Sequence, residues 1–291
     1  MVFRLVFRII PWVLLVNPIL SQEKIQYDLK GNFKTAYLPK ELQEVSGVTV
    51  IDSNRLACVQ DENAIIYIID KNTFDVKEKY SFGNDGDYEG IAYAKGVLYV
   101  LRSDGLLFEI RDYEKQIPKV ITYTTNIPAN NNEGLCYDKF NNRLLIGCKS
   151  KPGKGPEFKN HREIYGFDLE NKQMVGTPIF KFNTEQIKKA VVSKGIKLPV
   201  KEKKKGTEEI LRFTISAIAV HPTTKKLYLI SSADKLLFVF DEKGGIENIE
   251  KLDPLIFNKP EGIIFFESGD MVITNEGQDK RPTLLFFKAK N

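Results

Sequence analysis

The sequence predicts an all-β fold, a β-propeller built from four-stranded antiparallel blades. The first observation is a small or acidic residue, followed by glycine or alanine, that precedes an apolar run at five places. The second is a nearly constant distance between these strand starts, with polar turns between the short strands that follow each one. The third is an excess of aromatic residues, with 19 Phe and 12 Tyr against 3 Met, which favours strands over helices.

Five segments of the sequence share one pattern of strands. Each segment opens with a short apolar strand, continues through a polar turn into a second strand, and reaches a third strand after a polar loop. A fourth, more polar strand ends the unit. The segments open with EVSGVTV from Glu44, DYEGIAY from Asp87, NNEGLCYD from Asn131, TISAIAV from Thr214 and KPEGIIFF from Lys259.

The distance between strand starts matches the length of a propeller blade. Gly47 and Gly90 are 43 residues apart, and Gly134 follows 44 residues later. Ala217 and Gly262 are 45 residues apart. Four antiparallel strands in about 40–45 residues are typical of one blade. We therefore predict five blades. A sixth, degenerate blade is the alternative, because 83 residues separate Gly134 from Ala217.

An insertion at about residues 183–212 explains much of the long distance between Gly134 and Ala217. It has a helix-like start at Asn183 or Thr184 and then a Lys-rich stretch at 192–206. Such a stretch is usually a solvated insertion, and contact with anionic lipid or polysaccharide is the alternative. We expect the run Phe33–Pro39 to pair with the last unit and close the ring, because an open sheet edge promotes aggregation.

The first 21 residues have the features of a secretory signal peptide. Arg4 and Arg8 precede a short apolar stretch that prolines interrupt, and Ser21 offers a cleavage point. The stretch is too short for a good membrane span, although an uncleaved anchor is the alternative. We therefore expect export to the periplasm, the cell envelope or the extracellular space. A linker at 22–32 and a monomeric propeller at 33–291 would follow, with no integral membrane span.

Composition excludes several functional classes. Without the signal peptide the chain has 41 Lys and Arg against 38 Asp and Glu, and this near-neutral balance argues against nucleic-acid binding. Its two histidines, His161 and His221, argue against a His-rich metal site and against a Ser-His-Asp mechanism. Cys58, Cys136 and Cys148 lie in apolar runs without a CxxC motif, which predicts buried thiols, with one disulfide as the alternative.

The strand starts resemble those of the SdiA-regulated family of secreted or envelope β-propellers. The resemblance is carried by EVSGVTV, DYEGIAY, NNEGLCYD and PEGIIFFESGDMVITNEG, and it spans residues 41–287. It implies a propeller in which a calcium site is to be sought, and it implies no particular reaction. The Lys-rich insertion departs from the family pattern.

The residues at the strand starts are the first candidates for a functional site. The first strand of each blade lines the central channel of a propeller, so these residues should form a ring around one mouth. The predicted ring consists of Ser46, Glu89, Glu133, Ser216 and Glu261. Loops between the second and third strands should crown this mouth. They contribute Asp61, Asp104, Lys149, Asp234, Asn275 and Glu276.

Calcium is the predicted cofactor of this ring. Three carboxylates around a narrow channel repel one another, and burial increases that cost. A Ca²⁺ ion would offset it, because calcium prefers several oxygen ligands. The candidate ligands are Glu89, Glu133, Glu261, Asp61, Asp104, Asn275 and Glu276. Two alternatives remain open: the glutamates accept hydrogen bonds from the next blade's backbone, or they are catalytic.

Three functions stay open from the sequence. The first is a calcium-dependent protein of the cell envelope that recognises a ligand through the crown, where the basic loop Lys149–Arg162 would suit an anionic small molecule or an envelope component. The second is a metal-assisted hydrolase of phosphoesters or lactones, in which one glutamate activates water. The third is an interaction scaffold without a small ligand. The sequence assigns no catalytic residue.

Overall fold

Five antiparallel sheets follow one another along the chain and form the five blades of a propeller, as the sequence predicts. This computed structural model describes residues 25–129, 131–203 and 206–290. The predicted signal peptide at 1–21 lies outside the described residues. Within the described ranges, no helix combines the length and apolarity that a membrane span requires.

The secondary structure consists of short strands joined by turns. The strands before the insertion are β1 (Phe33–Tyr37), β2 (Val45–Val50), β3 (Arg55–Gln60), β4 (Ile65–Asp70), β5 (Val76–Ser81), β6 (Tyr88–Ala94), β7 (Val97–Arg102), β8 (Leu106–Arg111), β9 (Lys119–Thr124), β10 (Asn132–Asp138), β11 (Arg143–Cys148), β12 (His161–Asp168), β13 (Gln173–Met174) and β14 (Phe180–Asn183). The insertion holds the helix α1 (Thr184–Ser193) and the hairpin β15 (Val200–Lys203) and β16 (Gly206–Glu209). The remaining strands are β17 (Ala217–Val220), β18 (Leu227–Ser231), β19 (Leu236–Phe240), β20 (Ile246–Lys251), β21 (Pro260–Phe265), β22 (Met271–Asn275) and β23 (Thr283–Phe287). Short 3-10 turns occupy Lys40–Leu42, Pro156–Phe158 and Ser232–Asp234.

Each blade runs from an inner strand to an outer one. The first, second and fourth blades have the orders β2-β3-β4-β5, β6-β7-β8-β9 and β17-β18-β19-β20. In the third blade, β13 and β14 share the outer position and both pair with β12. The fifth blade has the order β21-β22-β23-β1, in which Phe33 pairs with Phe287 and Tyr37 with Thr283. The predicted closure of the ring by the N-terminal strand is therefore confirmed.

The hydrophobic core is divided among the interfaces between blades. The buried apolar residues form five clusters within the described ranges, and each cluster lies between two neighbouring blades. Between the first and second blades, for example, Ala57 and Ile66 pack with Ile91 and Val100. The inner strands contact one another in the order β2, β6, β10, β17 and β21, and β21 contacts β2. Alternating side chains on both faces of each sheet thus supply all five interfaces.

The insertion packs on the third and fourth blades through its helix. Asn183 caps this helix, because its Oδ1 accepts hydrogen bonds from the backbone N–H groups of Glu185 and Gln186 at 3.0 and 3.2 Å. Ile187 and Val191 of α1 are buried in the interface between these blades. The helix begins at one of the two positions that the sequence predicts.

The segment before β1 packs against the interface between the fourth and fifth blades. The Tyr27 hydroxyl donates to the carbonyl of Gly269 at 2.6 Å and lies 3.0 Å from Nε2 of His221. Tyr27 and Leu29 are buried in the cluster between these two blades. Part of the predicted linker is therefore an ordered element of the core.

Candidate functional site

The five residues at the strand starts line one small opening at the centre of the propeller. These residues are Ser46, Glu89, Glu133, Ser216 and Glu261. The glycine or alanine that follows each of these residues also lines the opening. The opening encloses about 10 Å³, which is space for roughly one water-sized particle.

A β-bulge directs the ring residue toward the axis in four of the five blades. The pairing register shifts between Val45 and Gly47 around Ser46, and between Tyr88 and Gly90 around Glu89. The same shift occurs at Glu133 and at Glu261 in the third and fifth blades. A bulged residue stands outside the regular alternation of its strand, so its side chain can be aimed at a site.

Glycine after the ring residue permits the inner strands to approach closely. A Cβ atom on Gly90 would lie 2.6 Å from Cβ of Leu135 and 2.9 Å from the carbonyl oxygen of Glu133. A Cβ atom on Gly47 would lie 2.7 Å from the backbone nitrogen of Ile91. The repeated Glu-Gly pair therefore combines a side chain aimed at the axis with a residue that lets the next blade pack against it.

Glu133 is the most informative residue of the ring. It is 3% exposed, and its Oε1 forms an ion pair with Lys149. Its Oε2 has no hydrogen-bond partner among the described residues. Burial and the charge of Glu261 raise the pKa of Glu133 to about 8, although Lys149 opposes this shift.

The other two ring glutamates are also difficult to ionise. Burial and the charge of Glu133 raise the pKa of Glu89 to about 9. Burial raises the pKa of Glu261, and Lys259 opposes this shift. For Lys149, burial alone would lower the pKa, but the charge of Glu133 outweighs it and the pKa is raised. The carboxyl groups of the ring are therefore harder to ionise than exposed glutamates, and the nearby lysines partly offset this effect.

A second lysine, which the sequence pattern does not single out, faces the ring from the fifth blade. Nζ of Lys259 lies 2.6 Å from Oε2 of Glu276 and 3.9 Å from Oε1 of Glu261. Asp61 lies further out on the same mouth, where burial and the charge of Glu44 raise its pKa to about 7. The sequence feature that could have identified Lys259 is its position two residues before Glu261.

All six predicted crown residues lie outside the lining of the opening, and three of them are engaged in contacts away from the ring. Asp104 pairs with Arg102 at 2.8 Å near the surface. Asp234 is buried, and its Oδ2 accepts hydrogen bonds from the backbone N–H groups of residues 212 and 213, each at 2.9 Å. The amide of Asn275 donates to Oγ1 of Thr283 at 3.0 Å. These contacts hold the loops of the crown in place.

Two basic residues of the Lys149–Arg162 loop are already engaged within the protein. Lys149 pairs with Glu133. The Arg162 guanidinium donates to the carbonyl of Phe213 at 2.9 Å and to that of Arg212 at 3.2 Å. The contacts of Arg162 join the third blade to the segment that precedes the fourth.

The residues at the mouth do not form a ready-made metal cage. Across the described ranges, no three or more His, Cys, Asp and Glu side chains converge at positions that could hold a metal ion. Lys149 and Lys259 supply positive charge beside the carboxylates instead. Calcium binding remains a prediction, and it requires Lys149 to leave Glu133.

Solved structures share the propeller fold at low sequence identity. Glutaminyl cyclase from Myxococcus xanthus matches with a TM-score of 0.57 and 13% identity, over 88% of this chain and 94% of that chain. A luciferin-regenerating enzyme matches with a TM-score of 0.51 and 9% identity, over 89% of this chain and 96% of that one. At such identities the likeness concerns the fold alone. No curated protein matches the sequence.

The family assignment comes from the sequence. The model of the SdiA-regulated family matches residues 27–277. This range includes all five inner strands, every ring residue, and the insertion between the third and fourth blades. The chain belongs to the SdiA-regulated family.

Proposed function

We propose that the protein is a ligand-recognition propeller whose axial mouth receives a small, positively charged group of its ligand. The observation that carries this proposal is the carboxylate of Glu133. One of its oxygens contacts Lys149, and the other is buried without a hydrogen-bond partner in the described chain. A buried, unpaired acceptor is costly, and a cation or an N–H donor would satisfy it.

The charge balance of the mouth supports a cationic group. Acidic side chains that act on one another's pKa there are Glu44, Asp61, Glu89, Glu133, Glu261 and Glu276. Lys149 and Lys259 are the lysines paired with them. The volume of about 10 Å³ suits a single ion or one ammonium group rather than a whole organic molecule.

Lys149 acts as an internal competitor for that cation. Its side chain is 33% exposed, whereas that of Glu133 is 3% exposed. The lysine can therefore swing toward solvent, while the carboxylate stays in place. Removing the lysine side chain should open the ring to an external cation.

Calcium is one candidate for the cation, and a primary ammonium group is the other. Calcium is favoured by the lining, because carboxylate and hydroxyl oxygens face the opening. The ammonium is favoured by Lys149, which shows that such a group fits against Glu133. The hydrolase function needs a carboxylate next to a bound metal, and no observation favours it.

Isothermal titration of the full chain with CaCl₂ and with butylammonium chloride tests the proposal. We expect Lys149→Met to bind at least one cation about tenfold more tightly than the unaltered chain. Glu133→Gln should abolish this binding in both backgrounds. Lys151→Met, in the same loop, is the matched control and should leave the affinity unchanged. Absence of binding to Lys149→Met would show that the ring is a structural charge cluster.

Export to the cell envelope belongs to the same proposal. Its support is the N-terminal sequence, in which Arg4 and Arg8 precede a short apolar stretch and the small residue Ser21. Cell fractionation and N-terminal sequencing of the purified protein test it. A chain that begins near Gln22 supports the proposal, and an intact N-terminus in the cytoplasm contradicts it.

A further inference from the structure

A larger pocket lies at the end of the channel opposite the acidic ring. The ring residues stand at the beginnings of the inner strands, whereas this pocket is lined by the ends of those strands, including Val50, Tyr93, Tyr137, Val220 and Phe265. Its volume is about 450 Å³. This is within the range of small-molecule sites, which occupy roughly 300–1,000 Å³.

The wall of this pocket is mostly apolar. Aliphatic side chains come from the inner strands, and aromatic rings come from β6, β10 and the end of β21. Tyr93, Tyr137 and Ile264 are only partly buried, so part of their apolar surface faces the pocket. An apolar concavity of this size is stabilised when an apolar ligand displaces water from it.

The rim of the pocket carries one unpaired positive charge. Lys139 pairs with Glu267 at 2.5 Å, and Asp52 pairs with Arg55 at 2.8 Å. Lys71 has no carboxylate within ion-pair distance among the described residues, and its Nζ lies 4.0 Å from the centre of the Phe266 ring. The ammonium is therefore held at the edge of the apolar wall by a cation–π contact and is available to an anion.

We propose that this second mouth binds a single anionic amphiphile, of which a medium-chain carboxylate is the simplest representative. The apolar chain occupies the pocket, and its carboxylate pairs with Lys71. An uncharged ligand would leave the ammonium unpaired, and a cationic one would be repelled by it. This charge complementarity distinguishes the site from the acidic ring, where the excess charge has the opposite sign. The inference does not rest on the function proposed for that ring.

Isothermal titration of the full chain with decanoate at pH 8 tests this inference. Decanol, which has the same chain length and no charge, is the matched ligand. We expect decanoate to bind with a stoichiometry of one and more tightly than decanol. Lys71→Gln should weaken decanoate binding about fivefold and leave decanol binding unchanged. Lys119→Gln, an exposed lysine on the outer strand of the second blade, should change neither.

A second variant tests the location of the apolar part. Val220→Trp places a larger side chain into the pocket and should abolish the binding of both ligands, whereas Glu133→Gln at the opposite mouth should change neither. Equal binding of decanoate to Lys71→Gln and to the unaltered chain would overturn the inference. So would an absence of decanoate binding, including the case in which a second copy of the chain covers the pocket. Melting curves of each variant confirm that it is folded.

Discussion

Lys149 forms an ion pair with Glu133 because the pairing of β10 and β11 brings both residues to the axis of the propeller. Asn132 pairs with Cys148, and the Lys149 N–H donates to the Asn131 carbonyl at 3.1 Å. Lys149 is the residue directly after β11, and its side chain therefore lies beside the acidic ring. A blade that supplies both the carboxylate and its cation neutralises part of the ring without help from another blade.

The first prediction concerns the stability that Lys149 contributes. In Lys149→Met the buried Glu133 loses its cation, so its folded-state pKa rises further above the ordinary value. We expect little difference from the unaltered chain at pH 5, where Glu133 is protonated in both folded proteins. The variant should be less stable by about 1–3 kcal/mol at pH 9. Urea denaturation at both pH values measures this, and an equal loss at pH 5 and pH 9 would contradict it.

The second prediction concerns the pH dependence of the ring. The folded-state pKa values of Glu89 and Glu133 are about 9 and about 8, above the ordinary glutamate value of 4.5. Between pH 4.5 and these folded-state pKa values, the folded protein therefore holds more protons than the unfolded chain. Its stability falls as pH rises from about 4.5 to 9. Glu89→Gln resembles the protonated form. It should be about 2 kcal/mol more stable than the unaltered chain at pH 9 and similar to it at pH 4.5.

Glu242→Gln, an exposed position, is the matched control for that experiment. It should leave the slope of unfolding free energy against pH unchanged. If Glu89→Gln has the same slope as the unaltered chain, then Glu89 is ionised at neutral pH in the folded protein.

The third prediction links cation binding to proton release. A cation at the ring favours ionised carboxylates, so its binding should expel protons from Glu89 and Glu133. Affinity for calcium or butylammonium in Lys149→Met should therefore increase from pH 6 to pH 9. Titration in two buffers with different ionisation enthalpies measures the number of protons released. Binding without proton release would place the cation elsewhere.

The sequence predicted the architecture because local sequence features mark the start and the turns of each blade. Strand starts such as Glu89-Gly90 recur at blade length, and the turn residues between strands set the pairing. The positions of the five ring residues follow from the repeat. The side-chain directions at the crown do not, because they depend on loop conformation. Asp234 lies on a predicted crown loop, yet its carboxylate turns toward the backbone N–H groups of residues 212 and 213.

Lys259 and the pocket at the end of the channel opposite the ring were harder to predict. Lys259 precedes its strand in a polar segment that resembles any exposed turn. The ends of the inner strands, such as Tyr137 and Val220, carry apolar residues, as any buried strand does. Only the arrangement of five strand ends around one axis distinguishes a pocket wall from ordinary core.

The fourth prediction tests the close packing of the inner strands. Gly90→Ala would place Cβ 2.6 Å from Cβ of Leu135, so two blades would have to separate. We expect a loss of about 2 kcal/mol in unfolding free energy. Gly176→Ala is the control, because nothing lies within 4 Å of its added Cβ, and it should change stability little. Equal effects of both substitutions in urea denaturation would argue against the tight axial packing.

The fifth prediction concerns the anchor of the N-terminal segment. Nδ1 of His221 accepts hydrogen bonds from the backbone N–H groups of Thr223 and Thr224 at 3.3 and 3.2 Å. Nε2 therefore carries the proton and donates to the hydroxyl of Tyr27, which in turn donates to Gly269. Burial, reinforced by the charge of Lys226, lowers the pKa of His221 to about 4. Protonation would break this chain of hydrogen bonds.

Because the folded-state pKa of His221 is below its ordinary value of 6.5, the unfolded chain binds the extra proton between pH 6.5 and 4. The contribution of His221 to stability is complete above pH 6.5 and is lost as pH falls toward 4. We expect this loss to reach about 2 kcal/mol in the unaltered chain and to be absent in His221→Gln. The control His161→Gln should retain it. Urea denaturation from pH 4 to pH 7 measures the difference, and identical pH profiles for both variants would show that the buried imidazole does not control the anchor.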